Sequence, residues 1–314
     1  NPFACHELDV EVLPAEAPKK VAVVGAGPAG MAAATQLAER GHRVTLFDAA
    51  AEIGGQFNLA RRIPGKEEFG ETLRYFDTRL KELKVDVRLN RRVTSADFQG
   101  YDHVVVATGV TPRTPGIAGI DHAKVASYVD LLLGRKTAGR RVAVIGAGGI
   151  GFDVAEYLTH AGDGGDPIAA YRKEWGIDPH YTDKRGGLVE AQMSPSPREV
   201  WLLQRKATKL GDGLAKTTGW ARRLLLQKRG VHMQGGVEYL KIDDAGLHIA
   251  VEGKERVLDV DTIVICAGQE PRRELVAGLE AGGIAYTLVG GADVAAELDA
   301  KRAIWQATEF AVEF

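Results

Sequence analysis

Residues 21–30 read VAVVGAGPAG and run on into MAAATQLAERGHRVTLFD, which ends at Asp48. Residues 21–24 are a short apolar, β-branched run of the kind that forms a buried parallel strand. Gly25, Gly27 and Gly30 then give G-x-G-x-x-G. Residues 31–40 have helical spacing and few β-branched side chains, and Gly41 stands where a helix should stop. Residues 44–47 read as a second strand, closed by Asp48. In such a unit one glycine makes the tight turn, one lets backbone touch a pyrophosphate, and one lets helix and strand pack closely. The pyrophosphate is held by free N–H groups at the helix N-terminus. Asp48 lies about eighteen residues past Gly30, where a carboxylate can accept from the ribose hydroxyls of an adenosine. Alone, G-x-G-x-x-G is a weak signal. The strand before it, the helix after it and the acid at the next strand end make it a dinucleotide site. The alternative is a Gly-rich turn in an unliganded doubly wound sheet.

The chain has 314 residues, about twice a typical domain, so two domains are expected. It is 45% hydrophobic and 26% charged, ordinary for a globular protein. Its net charge of −2 favours neither nucleic acid nor an anionic membrane as partner. No apolar run reaches the roughly eighteen residues of a membrane-spanning helix. Cys5 and Cys266 are far apart and form no C-x-x-C, which argues against a disulfide framework and a dithiol redox centre. A cytoplasmic location is the default expectation. The chain opens at Asn1 without Met or a signal-like segment, so it reads as a piece of something longer or a processed product. Residues 1–20 carry Pro2, Pro14 and Pro18 and no periodic pattern, as an extended strap would. Cys5 and His6 are neighbours, but a pair without further ligands does not make a metal site.

After Asp48, the Gly54-Gly55-Gln56 turn would let backbone approach a ligand lying across the strand ends; a plain surface turn is the alternative. Residues 67–83 have helical spacing, with Phe69, Leu73, Phe76 and Leu80 on one face. Residues 85–89 and 103–107 read as strands, the second running into Thr108 and Gly109. Pro112, Pro115 and Gly116 then break the chain.

The pattern now repeats. Residues 141–145 form a strand, followed by Gly146, Gly148 and Gly151 and a helix over 153–159. Residues 261–266 form a strand running into Ala267-Gly268, an echo of Ala107-Thr108-Gly109. Two fingerprints and two such strand ends are more specific than either fingerprint. Cys266 lies in an apolar strand and reads as core. Residues 161–197 are a long Gly/Pro/Asp-rich insertion, either functional or mobile. The next strand, 199–203, ends in Gln204-Arg205-Lys206 rather than an acid. Arg205 and Lys206 suit a 2′-phosphate, hence NADP rather than NAD; two solvated surface cations are the alternative. Thr217-Thr218-Gly219-Trp220 reads as a loop near the nicotinamide, and 221–228 as a basic helix with a solvated face. Residues 237–242, 247–251 and 255–258 alternate as an antiparallel meander. Residues 287–293 form a strand ending in glycine and Asp293, with a helix over 295–314. Asp293 could hold a polyol hydroxyl beside a helix dipole that favours negative charge on a reduced flavin, could cap that helix, or both.

VAVVGAGPAG, Asp48, IGGQFNLA, IPGKEEF, VVVATGVTPR, VAVIGAGGIGFD, LLQRKA, KTTGW, ICAGQEP and GGADVAAELDAKRAI together resemble the FAD/NADPH half of the bacterial NADPH-dependent 2,4-dienoyl-CoA reductases. These are multi-cofactor relatives of Old Yellow Enzyme, similar to trimethylamine dehydrogenase. The resemblance covers nearly the whole chain. It implies hydride transfer from NADPH to FAD, then single electrons through a 4Fe–4S cluster to FMN in an N-terminal barrel, where a 2,4-dienoyl-CoA of fatty acid β-oxidation is reduced. The barrel is not in this chain, and Cys5 matches none of the family's cluster cysteines. FMN and the cluster therefore belong to an upstream partner domain, and the ligands expected here are the small-molecule nucleotides. By the family pattern Gly25, Gly27, Gly30, Asp48, Gly55, Gln56, Thr108, Gly109 and Asp293 fall on FAD positions. Gly146, Gly148, Gly151, Arg205, Lys206 and Gly268 fall on NADP positions.

The expectation is an α/β chain of two doubly wound, Rossmann-like dinucleotide-binding domains, the first discontinuous. Residues 1–19 would be the strap, 20–118 with 286–314 the FAD domain, and 119–285 the NADPH domain. Hydride transfer between the cofactors needs no side-chain acid or base, so no catalytic residue is expected. The rivals are a stand-alone NAD(P)H:acceptor flavin reductase and an ADP-binding structural scaffold.

Overall fold

The apolar runs flanking the two fingerprints are the central strands of two parallel sheets. The computed structural model describes every residue except 163–164, 182–184 and 297–298. The chain divides into two units, Asn1–Thr111 with Gly268–Phe314, and Pro112–Ala267.

The first unit is built on β1 (Lys20–Val24), β2 (Arg43–Phe47), β3 (Asp86–Arg88), β4 (His103–Val106) and, late in the chain, β15 (Tyr286–Leu288). Their order is β15-β4-β1-β2-β3, and every pairing is parallel. Val21, Ala22 and Val23 have no exposed surface, which is why β1 is apolar without alternation. α1 (Pro28–Glu39) crosses from β1 to β2, with its proline in the first turn, where a missing N–H costs nothing. α2 (Phe57–Ala60) and α3 (Phe69–Glu82) lead on to β3. The chain then returns to pair β4 on the other side of β1. That reversal opens a crevice at the carboxyl ends of β1 and β4. A ribbon of β5 (Val110–Pro112) and β14 (Gln269–Pro271) forms where the chain leaves and returns. α8 (Val276–Ala281) and α9 (Ala300–Glu313) complete the unit. Ala303, Ala307 and Ala311 of α9 share a buried cluster with Ala29, Ala32 and Ala33 of α1.

The second unit repeats the plan with β6 (Val125–Ser127), β7 (Arg141–Ile145), β8 (Glu199–Leu203), β9 (His232–Gln234) and β13 (Thr262–Ile265), in the order β6-β13-β7-β8-β9. All are parallel. α4 (Tyr128–Leu132) follows β6, α5 (Gly149–Thr159) and α6 (Pro167–Trp175) lie between β7 and β8, and α7 (Gly219–Lys228) leads to β9. β10 (Val237–Asp243), β11 (Gly246–Val251) and β12 (Lys254–Leu258) form the expected antiparallel meander.

Several boundaries differ from the expectation. The division falls at 111/112 and 267/268, not at 118/119 and 285/286. Ile117 is buried with Leu247 and Ile249 of the second unit, whereas Leu279 is buried with Phe98 and Val104 of the first. Residues 1–19 group with the first unit, where His6 stacks on Trp305 at 4.4 Å. The last helix begins at Ala300, and Asp299 caps it by accepting from the Arg302 N–H at 2.7 Å. Asp293 therefore does not cap it, and residues 297–298 of the expected helix lie outside the described residues. Trp220 belongs to the first turn of α7. That helix is no merely solvated basic face, since Leu225 and Leu226 are buried and Arg222 is ion-paired. The 161–197 insertion contains α6, capped by Asp166; its residues 163–164 and 182–184 lie outside the described residues.

Two glycines in each unit are dictated by the fold. Gly25 has φ +106°, and a Cβ there would overlap the carbonyl of Ala107; a Cβ on Gly30 would overlap the carbonyl of Gly25. Gly146, at φ +111°, faces the Cys266 carbonyl, and Gly151 faces the Gly146 carbonyl. Gly148 meets nothing within 4 Å. Gly30→Ala and Gly151→Ala should each lower the unfolding free energy by about 3 kcal/mol or more. Gly148→Ala should change it by less than about 1 kcal/mol. Urea unfolding of the three variants checks this ordering.

The end of α9 packs on two histidines. The His103 ring lies 5.9 Å from Phe310 and 4.9 Å from Phe314, and His42 lies 5.3 Å from Phe314. Burial lowers the pKa of both from the ordinary 6.5, helped by Lys19 at both and by Arg40 at His42. The unfolded chain thus takes up protons first as pH falls. The stability of the neutral rings is present above about pH 6.5 and lost as pH drops through their lower folded values. Unfolding midpoints should fall between about pH 7.5 and 5.5, and the fall should narrow in His103→Asn.

Candidate functional site

The first-unit crevice is organised by the turn after β1. Gly27 is the N-cap of α1 in extended conformation, with no side-chain cap and no acid in the first turn. The helix N-terminus thus keeps unsatisfied N–H groups and partial positive charge. A Cβ on Gly27 would meet nothing closer than the Gly55 Cα at 4.0 Å. The protein's own packing therefore does not demand glycine at 27. The space over the helix end is a cradle that a side chain would fill, which fits a dinucleotide pyrophosphate. Gly54 (φ +123°) and Gly55 (φ +52°) bring a second turn against it, with the Gly54 N–H donating to the Ala26 carbonyl at 2.8 Å. Gln56 is the N-cap of α2.

Asp48 ties the turn after β1 to the turn that follows β2. Its Oδ2 accepts from the Ala26 N–H at 2.6 Å and its Oδ1 from the Ala50 N–H at 2.7 Å. Each carboxylate oxygen keeps a lone pair for a ribose hydroxyl. Asp48 and Thr108 line an open cleft of about 410 Å³ with Val24, Gly25, Arg91, Arg92 and Arg272. The Thr108 hydroxyl donates to the Arg272 carbonyl at 2.5 Å, and Gly109 has φ +74° with open space around it. Asp293 Oδ2 accepts from Gln306 Nε2 at 2.7 Å, and Gln306 Oε1 accepts from the Gly290 N–H at 2.7 Å. The acid is thereby fixed to α9 through a side chain rather than a cap. The sequence reading passed over Arg91, Arg92 and Arg272. A basic pair just after the third parallel strand is the signal that could have found the first two, since ligands sit at strand carboxyl ends.

In the second unit Gly148 is the uncapped N-cap of α5, again with open space around it. Beyond β8 the Gln204 amide donates to the Lys206 carbonyl at 2.9 Å and the Thr208 carbonyl at 2.6 Å. The Gly236 N–H also donates to the Lys206 carbonyl, at 3.0 Å. This shapes a turn that leaves Arg205 and Lys206 exposed. Arg222 of α7 pairs with Asp153 and, at 3.2 Å, with Glu156 of α5, a tie the sequence reading missed. Burial pushes the Cys266 thiol well above its usual range, so it is no thiolate nucleophile. Gly268, at φ +104°, groups with the first unit rather than with the other residues assigned to NADP. Among the described residues no group of three or more His, Cys, Asp or Glu could hold a metal ion. No helix of theirs is long and apolar enough to cross a membrane.

Two Rossmann-like units, each with an uncapped glycine at the helix end of its fingerprint, define a paired dinucleotide-binding fold of the flavin oxidoreductase kind. Residues 19–307 match the family described as pyridine nucleotide-disulphide oxidoreductase, and the chain belongs to that family. Its members typically bind FAD and NAD(P)H. A metal reductase of Desulforamulus reducens is 26% identical over 307 residues, 93% of this chain and 43% of that protein. An NADH oxidase of Thermoanaerobacter brockii is 30% identical over 300 residues, 93% of this chain and 41% of that protein. A solved 2-naphthoyl-CoA reductase in complex with 2-naphthoyl-CoA superposes with a TM-score of 0.82 at 26% identity, covering 100% of this chain and 43% of that one. The chain spans less than half the length of these relatives.

The two bonds of Asp48 predict a role that precedes any ligand. Asp48→Ala should destabilise the cofactor-free chain by about 1.5–3 kcal/mol, the worth of one charge-assisted bond, since the bond to Ala50 is exposed to water and contributes little. Asp48→Asn should cost about half as much. Unchanged cofactor-free stability would show that the carboxylate serves only a ligand.

Proposed function

We propose that the chain is an electron-entry module that takes hydride from NADPH onto FAD, and that it acts as part of a longer reductase resembling the 2,4-dienoyl-CoA reductases. The observation that carries this reading is the contrast between two matched units. At the end of its second strand, the first holds a carboxylate and the second two exposed cations with no ion-pair partner among the described residues.

When bound, FAD and NADPH supply hydride transfer from nicotinamide C4 to flavin N5. The chain's residues bind and orient. Gly27 and the α1 N-terminus would hold the FAD pyrophosphate, and Asp48 the adenosine ribose. Asp293, fixed by Gln306, would hold a ribityl hydroxyl. Gly148 and the α5 N-terminus would hold the pyrophosphate of NADPH, and Arg205 and Lys206 its 2′-phosphate. No proton needs moving, which is consistent with side chains that bind rather than react. The relatives bear the names of different acceptors, a metal and an aromatic acyl-CoA. That spread supports an acceptor site in the part of those proteins that this chain does not span. FMN and a 4Fe–4S cluster would belong to that part.

One cuvette experiment tests the module. NADPH, a 2,4-dienoyl-CoA and then ferricyanide are added in turn to FAD-loaded protein, while flavin and dienoyl absorbance are followed. NADPH should bleach the flavin, the dienoyl band should persist, and ferricyanide should restore the flavin. Loss of the dienoyl band before the dye is added would overturn the reading. An unbleached, fully loaded flavin would point to a scaffold.

Nucleotide choice has its own test. Each charge-assisted bond to the 2′-phosphate is worth about 1.5–3 kcal/mol. Arg205→Ala with Lys206→Ala should therefore raise the NADPH Kd at least about tenfold and leave NADH nearly unchanged. Equal weakening toward both nucleotides would show that these cations only support the fold.

A further inference from the structure

The cleft of the first unit holds a cation that the helix end and the ribose acid leave unused. Arg272 follows β14, and its backbone is fixed at the carboxyl end of β4. Its N–H donates to the Gly109 carbonyl at 2.9 Å, and its carbonyl accepts the Thr108 hydroxyl at 2.5 Å. Thr108 in turn adjoins the fingerprint turn, since a Cβ on Gly25 would stand 3.1 Å from the Thr108 nitrogen. The Arg272 side chain lines the cleft together with Val24, Gly25, Asp48 and Thr108. All of these residues belong to the first unit.

The guanidinium is shielded at its base and open at its end. Nε is buried without a hydrogen-bond partner. The Glu274 carboxylate stands 3.5 Å from it, too far for a good hydrogen bond. The side chain is nevertheless 34% exposed, so its accessible part is the pair of terminal nitrogens. Among the described residues neither of these has a hydrogen-bond partner. The other two cations of the cleft are placed differently. Arg91 is bound to Asp97 at 2.5 Å, and Arg91 and Arg92 both follow β3, which β2 separates from β1. Arg272 is therefore the cation on the β4 side, next to the turn that leads into α1.

Charge balance gives this placement a use. A pyrophosphate at the α1 N-terminus brings two negative charges. The first turn of α1, Pro28–Met31, supplies N–H groups and about half a positive charge but no cation. Asp48 adds a further negative charge on the β2 side. A guanidinium offers phosphate oxygens two parallel N–H groups and a full charge.

We propose that Arg272 is a further cofactor-binding residue, whose terminal nitrogens hold the FAD pyrophosphate from the β4 side while the α1 N–H groups hold it from the β1 side. The proposal rests on the reading of this crevice as the FAD site.

The test is titration of the cofactor-free chain with FAD, followed by flavin fluorescence, with ADP and adenosine measured by competition. Arg272→Gln should weaken FAD and ADP alike by at least about tenfold and leave adenosine, which has no phosphate, unchanged. Arg272→Lys keeps the charge without the fork and should recover part of the loss. The urea midpoint of the cofactor-free chain should be the same in both variants, since the side chain makes no hydrogen bond in the protein. Lys254→Gln, in the second unit, should bind FAD as the native chain does. Undiminished FAD and ADP binding by Arg272→Gln would overturn this proposal alone and leave the FAD site standing. An equal loss for adenosine would place the contact on the base or ribose and overturn it. A lowered cofactor-free midpoint with no recovery in Arg272→Lys would assign the residue to the fold and overturn it. A native chain that binds neither FAD nor ADP would overturn the reading of the site and this proposal with it.

Discussion

The first unit depends on backbone approaching backbone with no side chain between. Gly25 lies against the Ala107 carbonyl, and Gly30 lies against the carbonyl of Gly25. These two approaches join β1, its neighbour β4 and the first turn of α1. Closeness then spreads outward. α1 is rich in alanine because it is buried on the sheet side and also packs on α9, itself alanine-lined. Small residues on both helices give up side-chain area in exchange for backbone proximity, and the buried aromatic and branched residues lie further out. The second unit repeats the two approaches at Gly146 and Gly151, with the Cys266 strand end in the place of Ala107.

The two units differ at one matched position, the end of the second strand. In the first unit Asp48 turns inward and its two oxygens bind the backbone N–H groups of Ala26 and Ala50. A carboxylate there organises the turn. In the second unit the clamping falls to Gln204, whose amide holds two carbonyls of the following turn. Arg205 and Lys206 are thereby left exposed. The turn is thus organised by a carboxylate in the first unit and by an amide in the second.

Much of this was legible in the sequence. Both fingerprints, the parallel strands around them, the α3 face of Leu73, Phe76 and Leu80, and the meander all follow from local pattern, and all are present. Tertiary contacts decided the rest. The chain returns to the first unit at Gly268 because Leu279 finds its core among Phe98 and Val104, residues distant in sequence. The start of α9 at Ala300 follows from the Asp299 cap, whereas Asp293 is fixed by Gln306. The Arg222 tie between α5 and α7 and the cleft residues Arg91 and Arg272 depend on side-chain placement that no periodicity reports. The two backbone bonds of Asp48 were invisible for the same reason.

The central claim is that Gly27 is a glycine for the sake of a ligand, unlike Gly25 and Gly30. The most direct measurement is the flavin content of purified Gly27→Val beside its urea midpoint in the cofactor-free state. A Cβ at 27 would meet nothing closer than the Gly55 Cα at 4.0 Å but would occupy the pyrophosphate cradle. The variant should therefore be colourless while keeping the native cofactor-free midpoint. Full flavin content in Gly27→Val would contradict a cradle reserved for the dinucleotide.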